Sequence, residues 1–284
     1  MNRRHFLQST AAFGAAALSP ATTVCAGQFT GKIRKSLKWS MAQKAAKDMS
    51  LTEAFKKLRS CGYDGVEPSL LGHVTEQNAD EWIAASKASG LIIDGTVGGR
   101  SEGLEAGIDL TKKLGGDSML VVLAYPQEQP IQQTWDEAVA RMKAAAPHAE
   151  KQGIKVLIEN VWNTFLISAY DMARFIDEVS SPWVQVHFDI GNMMRWGVAE
   201  HWAQVLGKRS LKLDVKEYDL AKAMGEGMRK GFDTPLGEGS INWPAVREAL
   251  AKIQYTGWAA AEVKAGDWDY LADVAKRMDK VLDL

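Results

Sequence analysis

The chain has 284 residues, 46% of them hydrophobic and 24% charged, with a formal net charge of −1. That is an ordinary globular composition, large enough for one sizeable domain. The near-neutral balance and the lack of a long Lys/Arg run exclude the basic field that a nucleic-acid partner requires.

Asn2-Arg3-Arg4-His5-Phe6-Leu7 is followed by a weakly apolar, Ala-rich stretch from Ser9 to Val24. A charged start, a short apolar region and small residues before a cut site are the marks of an export signal. Paired arginines before Phe-Leu resemble the twin-arginine leader, whose translocase carries folded proteins. Val24-Cys25-Ala26 suits cleavage after Ala26, so residues 1–26 are read as a removed signal and 27–284 as the mature domain. The expected location is the periplasm. Cys61 is then the only mature cysteine, which excludes an internal disulfide. No later apolar run is long enough to span a membrane, so no membrane association is expected after the signal is removed.

From Lys35 onward, strand-like and helix-like segments alternate. The first strand is read as Leu37–Met41. Ser50-Leu51-Thr52-Glu53 is a capping box opening a helix, and Gly65-Val66-Glu67 is the second strand. A helix over 79–88 ends at Gly90, and strand three covers Leu91–Thr96, running into a loop at Val97–Arg100. A helix over 101–114 leads to strand four, Ser118–Leu123. A long helix over 134–151 contains Pro147, which is expected to kink its last turns. Strand five, Val156-Leu157-Ile158-Glu159, is an unbroken apolar run ending on an acid, as a fully buried parallel strand should be. A helix over 168–179, strand six Val184–Asp189, a helix over 199–206 and strand seven Leu211–Val215 follow. The segment 216–242 is long, Gly-rich and charged, a length usually reserved for function. A helix from Trp243-Pro244, strand eight Ala259–Val263 and a final helix complete the chain. Eight strands alternating with eight helices predict a single-domain α/β fold, the (β/α)8 TIM barrel. A doubly wound sheet would want a Gly-rich turn after strand one, and Ser40-Met41-Ala42-Gln43 offers none.

Barrel strands all deliver their ends to one face. Glu67, Glu159, Asp189, Asp214 and Glu262 should therefore surround a single cavity. So many carboxylates would force one another to protonate unless a cation joins them, and a divalent metal meets that need. His187 lies two residues before Asp189 and so faces the same way. It either backs a metal ligand, contacts substrate, or is a satisfied core histidine. His73 lies in the loop after strand two, on the active face. Trp39, Trp162 and Trp196 fall at or just past strand ends, where aromatic faces could wall a sugar pocket or merely pack the barrel mouth.

The terminal Glu159 of strand five, Phe188-Asp189-Ile190-Gly191-Asn192, Asp214-Val215-Lys216-Glu217-Tyr218 and Leu236-Gly237-Glu238-Gly239-Ser240-Ile241-Asn242-Trp243 resemble the xylose-isomerase-like sugar isomerase/epimerase superfamily. It includes hydroxypyruvate isomerase, ketose 3-epimerases, inosose dehydratase and endonuclease IV. The resemblance covers essentially the whole mature chain. It implies a divalent metal, Mn2+ or Mg2+, held by a Glu, an Asp, a His and a Glu on strands five to eight. Glu159, Asp189 and Glu262 match, while Asp214 stands where the histidine is expected and Asn192 where another histidine often follows. Both departures make the site richer in oxygen, which suits Mn2+ or Mg2+ better than Zn2+. If Asp214 is not a ligand, Lys216 is the next inward candidate, as a substrate contact.

The activity implied is enediolate proton transfer on a free sugar or keto-sugar, an isomerase or epimerase with Glu159 and Glu262 as the catalytic pair. Glu67, His73, His187, Asn192, Lys216, Trp39 and Trp162 are the expected substrate contacts. A keto-glycoside lyase or dehydratase using the same pair is the alternative, and a carbohydrate-binding barrel without catalysis is the non-enzymatic one. The expected partner is a small carbohydrate; assembly into a homo-oligomer is left open.

Overall fold

The computed structural model describes residues 26–100 and 103–284; the export signal expected at 1–26 lies outside them apart from Ala26. In chain order the elements are β1 (Ile33–Lys38), α1 (Trp39–Ala42), α2 (Leu51–Cys61), β2 (Gly65–Glu67), α3 (Ala79–Ser89), β3 (Ile92–Ile93), β4 (Thr96–Arg100), α4 (Leu104–Leu114) and β5 (Ser118–Val122). Then come α5 (Ile131–Gln152), β6 (Lys155–Glu159), α6 (Ala169–Val179), β7 (Val184–Asp189), α7 (Ala199–Leu206) and β8 (Ser210–Val215). The chain ends with α8 (Leu220–Glu226), α9 (Trp243–Lys252), β9 (Gly257–Ala261) and α10 (Trp268–Leu282). All strand pairs are parallel, in the order β3-β2-β1-β9-β8-β7-β6-β5-β4.

The two ends of that order are two halves of one barrel strand. Only Asp94 and Gly95 separate β3 from β4, and a bridge between Ser69 and Val97 joins β4 back to the chain after β2. The chain is a TIM barrel whose third strand is broken in the middle. The sequence reading ran this strand straight to Thr96 and placed a loop at 97–100. Gly95 explains the break. A Cβ there would lie 2.7 Å from the Ser118 carbonyl and 2.8 Å from Lys212 Nζ, so only glycine lets the backbone cross the lysine head.

Helix starts follow local chemistry. Ser50 accepts from the Glu53 N–H while the Glu53 carboxylate accepts from the Ser50 N–H, and Ser168 and Asp171 repeat the arrangement before α6. Helix α5 continues through Pro147 to Gln152. The segment 216–242 is not structureless: it holds α8 and a 3-10 turn at Met228–Asp233. Glu217 anchors it. Its buried carboxylate accepts from the Gly237 N–H at 2.7 Å, the Ile241 N–H at 3.3 Å and the Trp243 indole at 2.9 Å. Residues 236–243 thus form a cradle around one acid. Among the described residues no helix is long and apolar enough to cross a membrane.

Candidate active site at the carboxyl ends of the strands

Strand alternation turns every second side chain toward the barrel axis. On β8 and just beyond, these are Lys212, Asp214 and Lys216. On β7 they are His187 and Asp189, and Lys38 on β1 pairs in register with Glu67 on β2. The interior therefore carries two charged layers.

In the lower layer, Lys212 Nζ lies 2.6 Å from both Glu67 Oε1 and Asp94 Oδ2, and Lys38 Nζ pairs with Glu67 Oε2. Ser36 donates to the other Asp94 oxygen at 2.7 Å. Burial pushes the Glu67 carboxyl upward, but Lys212 and Lys38 outweigh it and hold the acid ionised. Glu67 was expected to meet substrate. Instead it is 1% exposed with both oxygens taken by lysines, because β2 ends one layer below the cavity.

Asp214 links the layers. Its Oδ1 lies 2.9 Å from His187 Nε2 and 3.0 Å from Lys38 Nζ. Burial opposes ionisation here, yet His187 and Lys38 hold the carboxyl well below its ordinary range. Its Oδ2 is buried without a hydrogen-bond partner among the described residues. His187 is fully buried beneath Asp214. It backs that acid, one of the roles the sequence reading allowed it, and with no exposed surface it lies one layer behind the cleft.

In the upper layer, Glu159, Asp189, Asp214 and Glu262 each offer an oxygen within 4.8 Å of all the others. Glu262 sits one residue past β9, tied by its N–H to the Val215 carbonyl at 3.0 Å. The Lys216 ammonium lies among them, 2.7 Å from Asp189 Oδ2, 2.5 Å from Glu262 Oε2 and 3.3 Å from Asn192 Oδ1. Its stem lies on Gly191, where a Cβ would fall 2.3 Å from Lys216 Cγ. Asn192 donates to Glu159 Oε1 at 3.1 Å, so it positions that acid as well as Lys216. Asn160 bonds the Asp189 backbone on both sides, at 2.8 Å each, and so joins β6 to β7. Burial, then Glu262, Asp214 and Asp189, hold the Glu159 carboxyl well above its usual range, and burial raises Asp189 to about 7 against the pull of Lys216. Four convergent carboxylates, three of them (Asp189, Asp214 and Glu262) with a buried oxygen that lacks a hydrogen-bond partner among the described residues, fit a hard divalent cation.

The remaining expected contacts divide. Trp162 stands at the mouth, its indole donating to the Asn192 carbonyl at 2.6 Å and its ring packed on Phe232 at 5.1 Å and Trp196 at 6.3 Å. Arg195 lies over Trp162 at 4.9 Å. Trp39 is elsewhere. β1 ends at Lys38, three residues before the Met41 end read from sequence; Lys38 points inward and Trp39 outward against Phe55 and Trp82 at 5.7 and 5.4 Å. His73 is half-buried, and its Nδ1 accepts from the Ser69 N–H at 3.1 Å, which shapes the loop after β2. The sequence reading missed Lys38, Lys212 and Asp94, and gave Glu217 no role. The inward parity of Lys212, two residues from Asp214, was the one available signal.

The chain is 24% identical over 242 residues to a protein of Escherichia coli (strain K12) named as an L-ribulose-5-phosphate 3-epimerase, SgbU, covering 75% of this chain and 83% of that one. In fold it is similar to the 3-keto-D-glucoside 4-epimerase YcjR of E. coli, with a TM-score of 0.70 and 16% identity over 88% of this chain and 99% of that one. It is similar too to a D-allulose 3-epimerase of Methylomonas sp. solved with D-allulose, with a TM-score of 0.69 and 19% identity over 88% of this chain and 96% of that one. Residues 55–282 match a family profile across most of the barrel. The chain belongs to the xylose isomerase-like TIM barrel family.

Proposed function

We propose that the protein is a sugar epimerase or isomerase that moves a proton at the carbon beside a ketose carbonyl, on a free rather than a phosphorylated sugar. The observation that carries this is the convergence of Glu159 and Glu262 from β6 and the end of β9 into one carboxylate cluster. Epimerisation needs one group to remove a proton and a second to return one to the same carbon. Glu159, its carboxyl held well above the usual range by burial and neighbouring acids, is placed as the acid; Glu262, 32% exposed, is placed as the base facing the cleft. Lys216 and Asn192 hold these groups in place and offer donors to substrate oxygens. A divalent ion, Mn2+ or Mg2+, held by Glu159, Asp189, Asp214 and Glu262 would supply Lewis-acid polarisation of the carbonyl. The names of the E. coli relative and of the fold neighbours support a sugar substrate.

The twin-arginine-like leader belongs to the same proposal. A periplasmic enzyme meets free sugars, whereas sugar phosphates are cytoplasmic. The same pair acting on a keto-glycoside would expel a β-substituent instead, and the fold neighbour that is a 3-keto-D-glucoside 4-epimerase makes such a substrate the second reading.

Deuterium wash-in from D2O across a panel of free ketoses tests the proposal. At least one ketose should take up deuterium at a single carbon. Glu159→Gln should lower that rate by about 1,000-fold with the circular dichroism spectrum unchanged. Appreciable residual exchange in the variant overturns the assignment, and release of an aglycone from 3-keto-glycosides selects the lyase.

A further inference from the structure

The cleft that opens above Lys216 and Glu262 does not end at the carboxylates. It encloses about 830 Å3 and runs from the barrel axis, past Phe232–Leu236 on one side and Met41 on the other, to Tyr270 on the first turns of α10. A hexose displaces roughly the volume of six waters, about 180 Å3 at about 30 Å3 each. One sugar at the catalytic pair leaves most of the cleft free.

The walls of this outer arm show what it would take. Two of the three cations beyond Lys216 are already matched: Lys264 lies 2.6 Å from Asp233, and Arg277 lies 2.5 Å from both Asp273 and Glu238. The α10 N-terminus beside it is capped by Asp267, which accepts from the Tyr270 N–H at 2.8 Å. Among the described lining residues beyond Lys216, Lys44 is the only cation without a carboxylate in ion-pair reach. A phosphate would meet a paired guanidinium and a helix end that already carries its anion, with Lys44 alone to receive it, so the arm gathers no set of donors for an anionic group. Tyr270 is 37% exposed, and its ring lies against Gly266, where a Cβ would fall 2.2 Å from Tyr270 Cδ1. Glycine there lets the ring stand in the wall. An exposed aromatic ring against a glycine, beside paired carboxylates, suits a neutral polyhydroxylated ring, stacked on one face and hydrogen-bonded at its edge.

We infer that this arm is a glycosyl subsite, so that the substrate is a keto-sugar carrying a second, uncharged sugar that rests on Tyr270. The inference rests on the proton-transfer reading above and adds the substrate class.

The test compares D-fructose with three glycosyl-fructoses, linked through O3 (turanose), O4 (lactulose) and O6 (isomaltulose). Deuterium uptake from D2O gives kcat/KM for each. At least one disaccharide should exceed fructose by about tenfold, the upper end of what one aromatic stacking contact supplies. Tyr270→Ala should collapse that ratio, and Tyr270→Phe, which keeps the ring, should retain it. Fructose preferred over all three, or a ratio unmoved in Tyr270→Ala, overturns the subsite. Calorimetric binding to Glu159→Gln separates the two failures. If no sugar exchanges deuterium, the proton-transfer reading fails; the subsite still stands if a disaccharide binds about tenfold tighter than its two component monosaccharides, and falls if it does not.

Discussion

Lys216 places a positive charge at the centre of the acidic cluster, 2.7 Å from Asp189 and 2.5 Å from Glu262, with its stem held on Gly191. The ammonium pairs with both carboxylates and donates to Asn192 Oδ1. The acids that would hold a divalent ion are therefore partly neutralised by the chain itself. An entering ion must compete with that ammonium for the same oxygens. Lys216→Gln keeps a hydrogen-bonding side chain and removes the charge. It should tighten Mn2+ binding by about tenfold or more, a change of about 1.4 kcal/mol, read by titration calorimetry on chelator-treated protein. Weaker binding in the variant would instead make Lys216 a prop for Asp189. The acids themselves were legible in the sequence, because a carboxylate after an apolar run marks a strand end. The lysines were not. Lys38 and Lys212 are 4% and 1% exposed, and fully buried lysines are too rare for a reader to place one inside a barrel without seeing its partners.

Elements were read well where the code is local and poorly where it depends on a distant neighbour. The boxes Ser50/Glu53 and Ser168/Asp171 mark helix starts in four residues each, and β7 follows from its own apolar pattern. The break at Asp94-Gly95 depends on a lysine from β8, more than a hundred residues later, so no local pattern announces it. The segment 216–242 is the same case. Its motif from Leu236 to Trp243 was visible, but its purpose, to surround Glu217, is a tertiary fact. Hydrogen bonds to a charged acceptor contribute about 1.5–3 kcal/mol each, and orphaning their buried donors costs more. Glu217→Ala should therefore destabilise the protein by about 3 kcal/mol or more in urea unfolding. Limited proteolysis should cut first between 217 and 242, the segment whose donors lose their partner; cleavage spread evenly along the chain would show that Glu217 does not hold it.

At the scale of the whole molecule, the barrel is stapled along its axis by ions rather than filled by branched apolar side chains. Six acids, Glu67, Asp94, Glu159, Asp189, Asp214 and Glu262, share the interior with Lys38, Lys212 and Lys216. Acids outnumber lysines, and the excess is absorbed where it costs least, by proton retention. Burial and like charges raise Glu159, and burial raises Asp189 to about 7. Glu67 and Asp214 are held low and the three lysines high, so these five keep their charge between pH 5.5 and 8. The sign follows directly. Asp189 has a folded pKa of about 7 against an ordinary 3.8, so in this window the native state binds more protons than the unfolded chain. Its contribution is complete below the unfolded value and is lost as pH rises through about 7. Chelator-treated protein should accordingly be less stable at pH 8 than at pH 5.5, by about 2 kcal/mol in urea unfolding. Asp189→Asn, neutral at both values, should flatten that difference. Mn2+ must displace the retained protons, so its affinity should rise with pH, and calorimetry in buffers of different ionisation enthalpy should register proton release. A metal-free protein equally stable at both pH values, with Asp189→Asn behaving alike, would mean that the axis carries no titrating acid in this range. The cation the fold requires would then be supplied entirely by its lysines.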